Sequence, residues 1–445
     1  MTEISYSIDR EVTFADHPLM ECDPSAFARL GVEVQQSRER GYDVTIGYTP
    51  DRAYDDPAAI VDMYGYLYAR DVLLAEERQR IIAEGVGSVG VNPLKRAYRR
   101  EKRIYDRLEP LRDQLLFGQT ESDSQAWHRQ RGRAAALLTI AAAHDLRAGG
   151  DERYQTMSGP LSSDVLDFHF PTTGTAFDGL SLHDAVVKTE SEYSGKDRAV
   201  AEAIAGQRIA ELQAFVDAPV SPKFKEIVQY CSDSLGIRSR KQEVNATITQ
   251  HIEQLALSGR TVGDVLMMSY GCGTALPMLE ALQQLRDQVG AAPKLILIDQ
   301  DPLALAAAAT LAKQMDLSDN IEIHCRQLFD KLFRPIDIDS VLAGRMLDIS
   351  EDSGLREYLP DGVYKRLTAM TWRHLKDGGL MSTGNMNANR PQAEFLHGMM
   401  GWQPKVQMRR IQDGFALHEA AGIAPGSTRA RVTRDGVYTL FFSQK

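Results

Sequence analysis

The stretch that most constrains the fold runs from Asp264 to Leu285. Apolar residues Val265 to Met268 lead into Gly271 and Gly273, and apolar residues at helical spacing follow. This order predicts a buried strand, a tight turn and a helix. Glycines in such a turn let a ligand approach the backbone, and the helix N-terminus behind it offers free N–H groups and a positive dipole end. We therefore expect a nucleotide-like ligand at this turn, although close packing of the strand against the helix would also select glycine.

A second unit of the same kind follows directly. The apolar run Lys294 to Ile298 ends in Asp299, and Asp301 and Pro302 then have the residue types of a helix start. An acidic residue at the tip of the second strand is where a doubly wound α/β fold accepts a ribose hydroxyl. The repeated pattern favours a nucleotide site over a turn that serves packing alone.

Two ligand classes share this geometry, the dinucleotides and S-adenosylmethionine. A dinucleotide site needs a third small residue three places after the second glycine, where this chain has Leu276. The turn Gly271 to Ala275 instead resembles motif I of the class I S-adenosylmethionine-dependent methyltransferases, and Ile298 to Pro302 resembles their second motif. The resemblance implies an α/β fold with a Rossmann-like seven-stranded sheet in the C-terminal part, and S-adenosylmethionine as the cofactor.

The rest of the C-terminal half fits that expectation. Asp435 and Gly436 form a preferred hairpin dipeptide between two apolar runs. The pattern resembles the end of class I methyltransferases, which finish in an antiparallel strand pair. The further predicted strands are Ile321–His324, Asp339–Ala343 and Leu380–Thr383, with a helix over Val363–Leu375.

A narrower resemblance covers roughly residues 225 to 445. The chain is similar there to methyltransferases for the biosynthesis of 3-hydroxypalmitic acid methyl ester. The shared features are Arg238 and Arg240 before motif I, the second motif itself, Ala343–Gly344, Tyr358–Asp361 and Gly384–Asn385. An apparent insertion between Gly344 and Tyr358 departs from that pattern. The resemblance implies a small or lipid-like methyl acceptor.

The expected site residues lie at the glycine turn and at the carboxyl ends of the strands. A sulfonium methyl is already activated, so the protein mainly positions the nucleophile, and it needs a general base only for a hydroxyl, amine or carbon acid. The residues expected to act in catalysis are His324, Asp348 and Tyr358, with Asn385 and Asn387 as further candidates. Those expected to bind the cofactor are Ser269, Tyr270, Gly271, Cys272, Gly273, Thr274, Asp299, Gln300, Gln327, Gly344 and Arg345.

Motif I departs from the family at one position that matters physically. Most class I members have an acidic residue two places before the first glycine, where this chain has Ser269. Serine accepts a hydrogen bond but attracts the ammonium group of the cofactor less strongly than a carboxylate does. This departure motivates a rival hypothesis, a non-catalytic protein that keeps the fold as a ligand sensor or assembly subunit. A second rival is a nicotinamide oxidoreductase.

The N-terminal half reads as mainly helical. Predicted helices start near Asp56 and Leu94 and run over Ser124–Leu146, and a Gly-, Ser- and Pro-rich connection at 149–179 precedes further helices up to Leu257. The expected division is 1–150 as a helical domain, 151–258 as a connection with helices covering the site, and 259–445 as the cofactor-binding domain.

Composition limits the partners. The net charge of −10 disfavours general attraction to nucleic acid. The four cysteines have no metal-like spacing and predict neither a metal site nor a disulfide framework. No run approaches 18 apolar residues, and the N-terminus lacks the pattern of a signal peptide. We therefore expect a cytoplasmic protein that acts on a small-molecule or lipid-like acceptor and that can form a homo-oligomer.

Overall fold

The computed structural model describes residues 14, 22–47, 57–86, 93–117, 231–300, 302–330, 332–394 and 406–445. The predicted helix over 124–146, the connection at 149–179 and the helices between 180 and 230 lie outside these residues.

Helices and strands alternate through the described C-terminal half. The helices are α1 (Pro24–Glu39), α2 (Pro57–Ala83), α3 (Pro93–Phe117), α4 (Ser232–Leu257), α5 (Leu276–Val289), α6 (Pro302–Gln314), α7 (Asp339–Leu342), α8 (Asp361–Arg373) and α9 (Ile411–Ala420). The strands are β1 (Asp43–Ile46), β2 (Leu266–Tyr270), β3 (Lys294–Asp299), β4 (Ile321–Cys325), β5 (Leu347–Asp352), β6 (Leu375–Met386), β7 (Thr428–Val432) and β8 (Tyr438–Gln444).

The strands form a single mixed sheet with the order β1-β7-β8-β6-β5-β2-β3-β4. Strand β2 pairs in parallel with β3 on one side and with β5 on the other. The chain runs outward from β2 to β4 and then crosses to β5 on the opposite side of β2. The strand order therefore reverses at β2, and in open α/β sheets ligands bind beyond the carboxyl ends of the strands at such a point.

Apolar residues on both sheet faces explain why the parallel strands read as continuous apolar runs. Met267 of β2 packs in the cluster that contains Leu282 of α5, whereas Met268 packs in the opposite cluster with Leu367 of α8. The predicted strands β2, β3 and β4 and the terminal antiparallel pair are confirmed within one residue or two of their expected limits. No described helix combines the length and the apolar character needed to cross a bilayer.

The expected α/β fold with a Rossmann-like sheet is confirmed, but the sheet has eight strands in the described residues rather than seven. The additional strand, β1, pairs in parallel with β7 at the sheet edge. Its four residues are too few to show a period in the sequence. Helix α1 precedes β1, and its Phe27 and Leu30 pack in one cluster with Phe441 of β8. The N-terminal region thus shares a core with the C-terminal sheet.

The predicted strand Asp339–Ala343 is wrong, because this segment forms the short helix α7. Ala343 and Gly344 both adopt left-handed backbone conformations, with φ of 50° and 83°. A left-handed residue commonly ends a helix, and the Ala343 N–H donates to the Asp339 carbonyl at 2.8 Å. The strand at this place in the sheet is β5, which begins four residues later. A short apolar run does not by itself distinguish a strand from a buried helical turn.

A buried histidine joins α8, α9 and the sheet. His418 Nε2 lies 3.1 Å from the Tyr364 hydroxyl and 3.2 Å from Thr383 Oγ1, and its Nδ1 lies 2.9 Å from Ser443 Oγ. Burial lowers the pKa of His418 to about 3, and the charge of Arg356 acts in the same direction. The imidazole is therefore neutral in the folded protein near neutral pH.

We predict that this histidine makes the protein less stable in acid. The unfolded chain takes up a proton near pH 6.5, whereas the folded His418 does so only near pH 3. Stability is therefore fully present above pH 6.5 and falls as the pH drops, by about 1.4 kcal/mol per pH unit from this group alone. The measurement is the denaturant midpoint between pH 7.5 and 4.5 for the native protein and for His418→Gln. The variant should show a shallower fall, and equal slopes would contradict the assignment.

Candidate functional site

A cleft opens at the carboxyl ends of β2 and β5, where helix α4 faces the glycine turn. The cleft is continuous with solvent. Its walls come from α4, the β2–α5 turn, the segment after β5, and β8. The lining residues are Ile237, Arg240, Lys241, Val244, Ser269, Gly271, Cys272, Gly273, Ala275, Pro277, Met278, Glu351, Ser353, Gly354, Glu357, Tyr358 and Tyr438.

The glycine turn is anchored to the neighbouring strand β3. The N–H groups of Gly271 and Cys272 both donate to the Ile298 carbonyl, at 2.8 and 3.2 Å. Gly271 and Gly273 have φ of 69° and 53°, in the left-handed region that glycine enters without steric cost. Leu355 would lie 3.1 Å from a Cβ at position 271. The turn therefore requires glycine for its conformation and for the close approach of a neighbour.

Asp299 lies at the tip of β3, as the sequence predicts. Its Oδ2 accepts a hydrogen bond from the Gly273 N–H at 2.8 Å, and the residue is buried. The carboxylate thus braces the turn from the second strand. Its role in holding a ribose hydroxyl remains a prediction, which this position at the strand tip supports.

The carboxylate that motif I lacks comes from the neighbouring strand. Ser269 of β2 and Glu351 of β5 are cross-strand partners, and the Ser269 hydroxyl donates to Glu351 Oε2 at 2.6 Å. The Ser353 N–H donates to the other oxygen, Glu351 Oε1, at 2.7 Å. Both Ser269 and Glu351 line the cleft. A buried carboxylate therefore lies beside the glycine turn, but it comes from β5 and not from the motif I position on β2.

A guanidinium faces the cleft from helix α4. The Arg240 Cζ lies 4.7 Å from the centre of the Tyr438 ring, and Nη1 donates to the Tyr438 hydroxyl at 3.1 Å. Glu357 Oε1 lies 3.7 Å from the same nitrogen and accepts from the Tyr438 hydroxyl at 3.3 Å. On the other side, both terminal nitrogens would lie 3.1 Å from a Cβ at Gly354. The absence of a side chain there gives the guanidinium its space.

The remaining residues of motif I are largely buried. Tyr270 is buried, and its hydroxyl donates to the Leu328 carbonyl at 2.6 Å. Thr274 is fully buried. Cys272 lines the cleft, but burial raises the pKa of its thiol, with the charges of Asp299 and Glu351 acting in the same direction. A protonated thiol is a poor nucleophile.

Two predicted cofactor residues lie beyond the strand ends. Gln300 follows β3 and Gln327 follows β4, and both side chains are exposed. The Arg326 N–H donates to the Asp299 carbonyl at 2.9 Å, which holds the two strand ends together. Both glutamines thus lie at the cofactor edge of the sheet, and their contact with a ligand remains a prediction.

The structure places three expected site residues away from the cleft. Asp348 lies near the amino end of β5, where it accepts from the Leu266 N–H at 2.9 Å and pairs with Lys376 at 2.7 Å. Gly344 and Arg345 connect α7 to the same amino end. Their predicted position at a carboxyl end is wrong, because it depended on the strand predicted over Asp339–Ala343.

His324 also lies outside the cleft lining. Its Nε2 lies 2.6 Å from Glu322 Oε1, and Glu322 pairs with Arg345 at 2.8 Å. This group occupies the outer strand β4 and the amino end of β5. Tyr358 is the one expected catalytic residue that lines the cleft.

The other two candidates support the loop beside β6. Asn385 Oδ1 accepts from Arg409 Nη1 at 2.6 Å, and Asn387 Nδ2 donates to the Gly436 carbonyl at 2.9 Å. Both asparagines are buried, so their described contacts order the backbone.

Glu351, Glu357 and Tyr438 are site residues that the sequence analysis missed. The alternation in Leu347-Asp-Ile-Ser-Glu351 is typical of a strand with an acidic residue at its carboxyl end. The alternation would have identified Glu351 if the preceding apolar run had not been assigned as the strand. Glu357 and Tyr438 lie 81 residues apart in the chain, and only the sheet order brings them together.

A group of potential metal ligands lies outside the cleft. Asp337, Asp339 and His374 have ligand atoms within 4.8 Å of one another. Asp337 pairs with Arg373 at 2.7 Å, and Asp339 Oδ1 lies 2.6 Å from His374 Nε2. Both carboxylates are thus engaged with side chains of α8 or of its end.

Comparison with known proteins agrees with the architecture of the site. Residues 229–445, just under half of the chain, match a family described as "Putative methyltransferase". No curated protein matches the chain in sequence. The matched residues include helix α4 and strands β2 to β8.

Several solved structures are distantly similar, with TM-scores below 0.5. A possible exported protein from Bordetella parapertussis has 17% identity and a TM-score of 0.39, over 73% of this chain and 99% of that one. An O-methyltransferase family 2 protein from Planctomyces limnophilus, in complex with apigenin, has 13% identity and a TM-score of 0.34 over 76% and 96%. Magnesium protoporphyrin IX methyltransferase from Synechocystis, with bound S-adenosylhomocysteine, has 10% identity and a TM-score of 0.35 over 59% and 100%.

The glycine turn generates a prediction about stability. We expect Gly271→Ala to lower the free energy of unfolding by about 1–2 kcal/mol, because a non-glycine residue must adopt a left-handed conformation there. The matched control is Gly263→Ala, since Gly263 has open space around its Cα. Denaturant unfolding of both variants measures the difference. Equal stability of the two variants would contradict a strained turn at position 271.

Proposed function

We propose that this protein is an S-adenosylmethionine-dependent methyltransferase that acts on a small-molecule or lipid-like acceptor. The observation that carries the proposal is the cleft at the strand-order reversal, where a glycine turn, an acidic strand tip and a buried carboxylate converge. The three features belong to Gly271–Gly273, Asp299 and Glu351. A glycine turn on its own would fit many nucleotides, whereas the added carboxylate suits a ligand that carries a cation beside its nucleoside.

The residues present fit this cofactor. The turn offers backbone without side chains at Gly271 and Gly273, and the cleft wall offers both a carboxylate and a guanidinium. When bound, S-adenosylmethionine supplies a methyl group that its sulfonium already activates. The protein then has to hold the two reactants in line and exclude competing water.

The segment after β5 is placed to hold the acceptor. Tyr358 lines the cleft next to Glu357, and the backbone of Glu357 is fixed because its carbonyl accepts from the Gln407 N–H at 2.6 Å. A hydroxyl or amine acceptor needs a group that removes its proton, and Glu357 is the nearest carboxylate on this segment. A carboxylate acceptor needs no base. Tyr358 is proposed to orient the acceptor through its hydroxyl.

The rival hypothesis of a non-catalytic ligand sensor or assembly subunit rests in part on Ser269, which removes the acid from motif I. Because Glu351 supplies a carboxylate to the same region, the departure in the motif is compensated within the sheet. Four expectations from the sequence remain proposals. They are membership of the 3-hydroxypalmitic acid methyl ester biosynthesis subgroup, a cytoplasmic location, a homo-oligomer and the division of the chain at residues 150 and 258.

The test starts with calorimetric titration of the purified full chain with S-adenosylmethionine, S-adenosylhomocysteine and NAD. We expect both adenosyl ligands to bind and NAD not to bind. Methyl-labelled S-adenosylmethionine is then incubated with separate panels of hydroxyl, amine and carboxylate compounds that include 3-hydroxy fatty acids. Binding of NAD alone, or of none of the three ligands, would overturn the proposal. Cofactor binding without transfer to any class would favour the sensor.

Asp299 provides a prediction on cofactor affinity. We expect Asp299→Asn to weaken S-adenosylhomocysteine binding by about tenfold or more, because a hydrogen bond to a charged group contributes roughly 1.5–3 kcal/mol. Asparagine retains an oxygen that accepts from the Gly273 N–H, so the turn should stay braced. Calorimetry measures the affinity, and a thermal melt of the unliganded variant checks the fold. Unchanged affinity would show that Asp299 serves the turn alone.

Tyr358 provides a prediction on turnover. If its hydroxyl orients the acceptor, Tyr358→Phe should lower kcat/KM for the acceptor by about tenfold, the value of one hydrogen bond, and leave cofactor affinity unchanged. Tyr68→Phe, a tyrosine of the N-terminal helix α2, is the matched control. Equal kinetics for the two variants would remove Tyr358 from the acceptor site.

A further inference from the structure

We infer that Glu351 and Arg240 form a paired subsite for an α-amino acid zwitterion, in which Glu351 receives the ammonium group and Arg240 the carboxylate. The inference rests on the proposed function, since the methionine end of S-adenosylmethionine carries such a zwitterion. It assigns the two charges to β5 and α4, whereas motif I itself is neutral at Ser269.

Glu351 is held ready for a cation. Its two carboxylate oxygens each accept one hydrogen bond, from the Ser269 hydroxyl and the Ser353 N–H, and both of these donors are neutral. A carboxylate oxygen has two lone pairs, so each oxygen retains capacity for a further donor. Glu351 is only 9% exposed. A buried carboxylate with neutral hydrogen-bond partners is costly in free energy, and an incoming ammonium offsets that cost.

Arg240 is held ready for an anion. Its described hydrogen bond goes to the Tyr438 hydroxyl through Nη1, whereas a guanidinium has five N–H donors. The Tyr438 ring on one side and Gly354 on the other limit the positions that the guanidinium can take. A pre-positioned planar fork matches a carboxylate with two parallel hydrogen bonds, and it loses little side-chain entropy when the ligand binds.

The two groups act within one electrostatic environment. Burial tends to lower the pKa of Arg240, but Tyr438, Glu357 and Glu351 outweigh burial and raise the pKa overall. Arg240 therefore stays charged. Both side chains line the same cleft. An acid and a guanidinium in one cleft have the charge pattern that complements an ammonium and a carboxylate on one ligand carbon.

Three ligands separate the parts of this subsite. S-adenosylhomocysteine carries both charges, decarboxylated S-adenosylmethionine lacks the carboxylate, and 5′-methylthioadenosine lacks the whole amino acid portion. We expect Glu351→Gln to weaken the first two about tenfold or more, in line with the loss of a charge-assisted contact. Arg240→Gln should weaken S-adenosylhomocysteine alone. Neither change should alter 5′-methylthioadenosine binding beyond twofold.

The matched controls come from a second acid–arginine pair, Glu322 and Arg345, at the other end of the sheet. Glu322→Gln and Arg345→Gln remove the same charges and should leave all three affinities unchanged. The milder variants Glu351→Asp and Arg240→Lys retain the charge but shift or reshape it. They provide the same test, with a smaller expected loss, if a glutamine variant does not fold.

A transplanted charge tests the position of the acid. The double variant Ser269→Asp with Glu351→Ser returns the carboxylate to β2 and keeps a hydroxyl on β5. Because the two residues are cross-strand partners, we expect this variant to bind S-adenosylhomocysteine at least fivefold more tightly than Glu351→Ser alone. The absence of any rescue would overturn the role of Glu351 as the displaced acid.

The outcomes separate this inference from the proposed function. If the native protein does not bind S-adenosylhomocysteine, the proposed function fails. If the native protein binds it and either variant retains native affinity, the paired subsite is overturned while the function stands. A loss of 5′-methylthioadenosine binding equal to the loss of S-adenosylhomocysteine binding would also overturn it, because the variants would then have damaged the nucleoside site.

Discussion

The site depends on the parallel pairing of β2 with two neighbours that lie on opposite sides of it. Because β3 continues the chain on one side and β5 on the other, the turn after β2 is left uncovered at the carboxyl edge. Both neighbours then contribute to that turn. Strand β3 anchors it through the Ile298 carbonyl and Asp299, and β5 brings Glu351 beside Ser269. Each contact is made across strands, so the sheet register fixes the geometry of the cleft.

Local chemistry in the sequence was enough to predict much of this arrangement. The buried strands β2 and β3 are continuous apolar runs that end in turn residues, and the left-handed glycines follow directly from the motif. The terminal antiparallel pair was also predictable from Asp435–Gly436, although the connecting loop covers Thr433 to Val437 rather than two residues. Features that depend on neighbouring residues in the chain were therefore accessible without the structure.

The failures arose where tertiary context decides between two local possibilities. The run Asp339–Ala343 is as apolar as a short strand, and only its left-handed end and its packing make it helix α7. That one assignment displaced Asp348 and Arg345 to the wrong end of the sheet and concealed Glu351. Strand β1 was missed for another reason, because a four-residue edge strand obtains its stability from pairing with β7 and not from its own pattern.

The position of the acid on β5 has a consequence that an acid on β2 would not have. Glu351 is followed by the segment that places Glu357 and Tyr358 in the cleft, and its Oε1 accepts from the Ser353 N–H at the start of that segment. Arg356 and Asp352 fix the same segment through a fully buried ion pair. In the proposed site, cofactor binding and the acceptor wall would share one strand end. In a protein with the acid on β2, these two functions would be carried by separate strands.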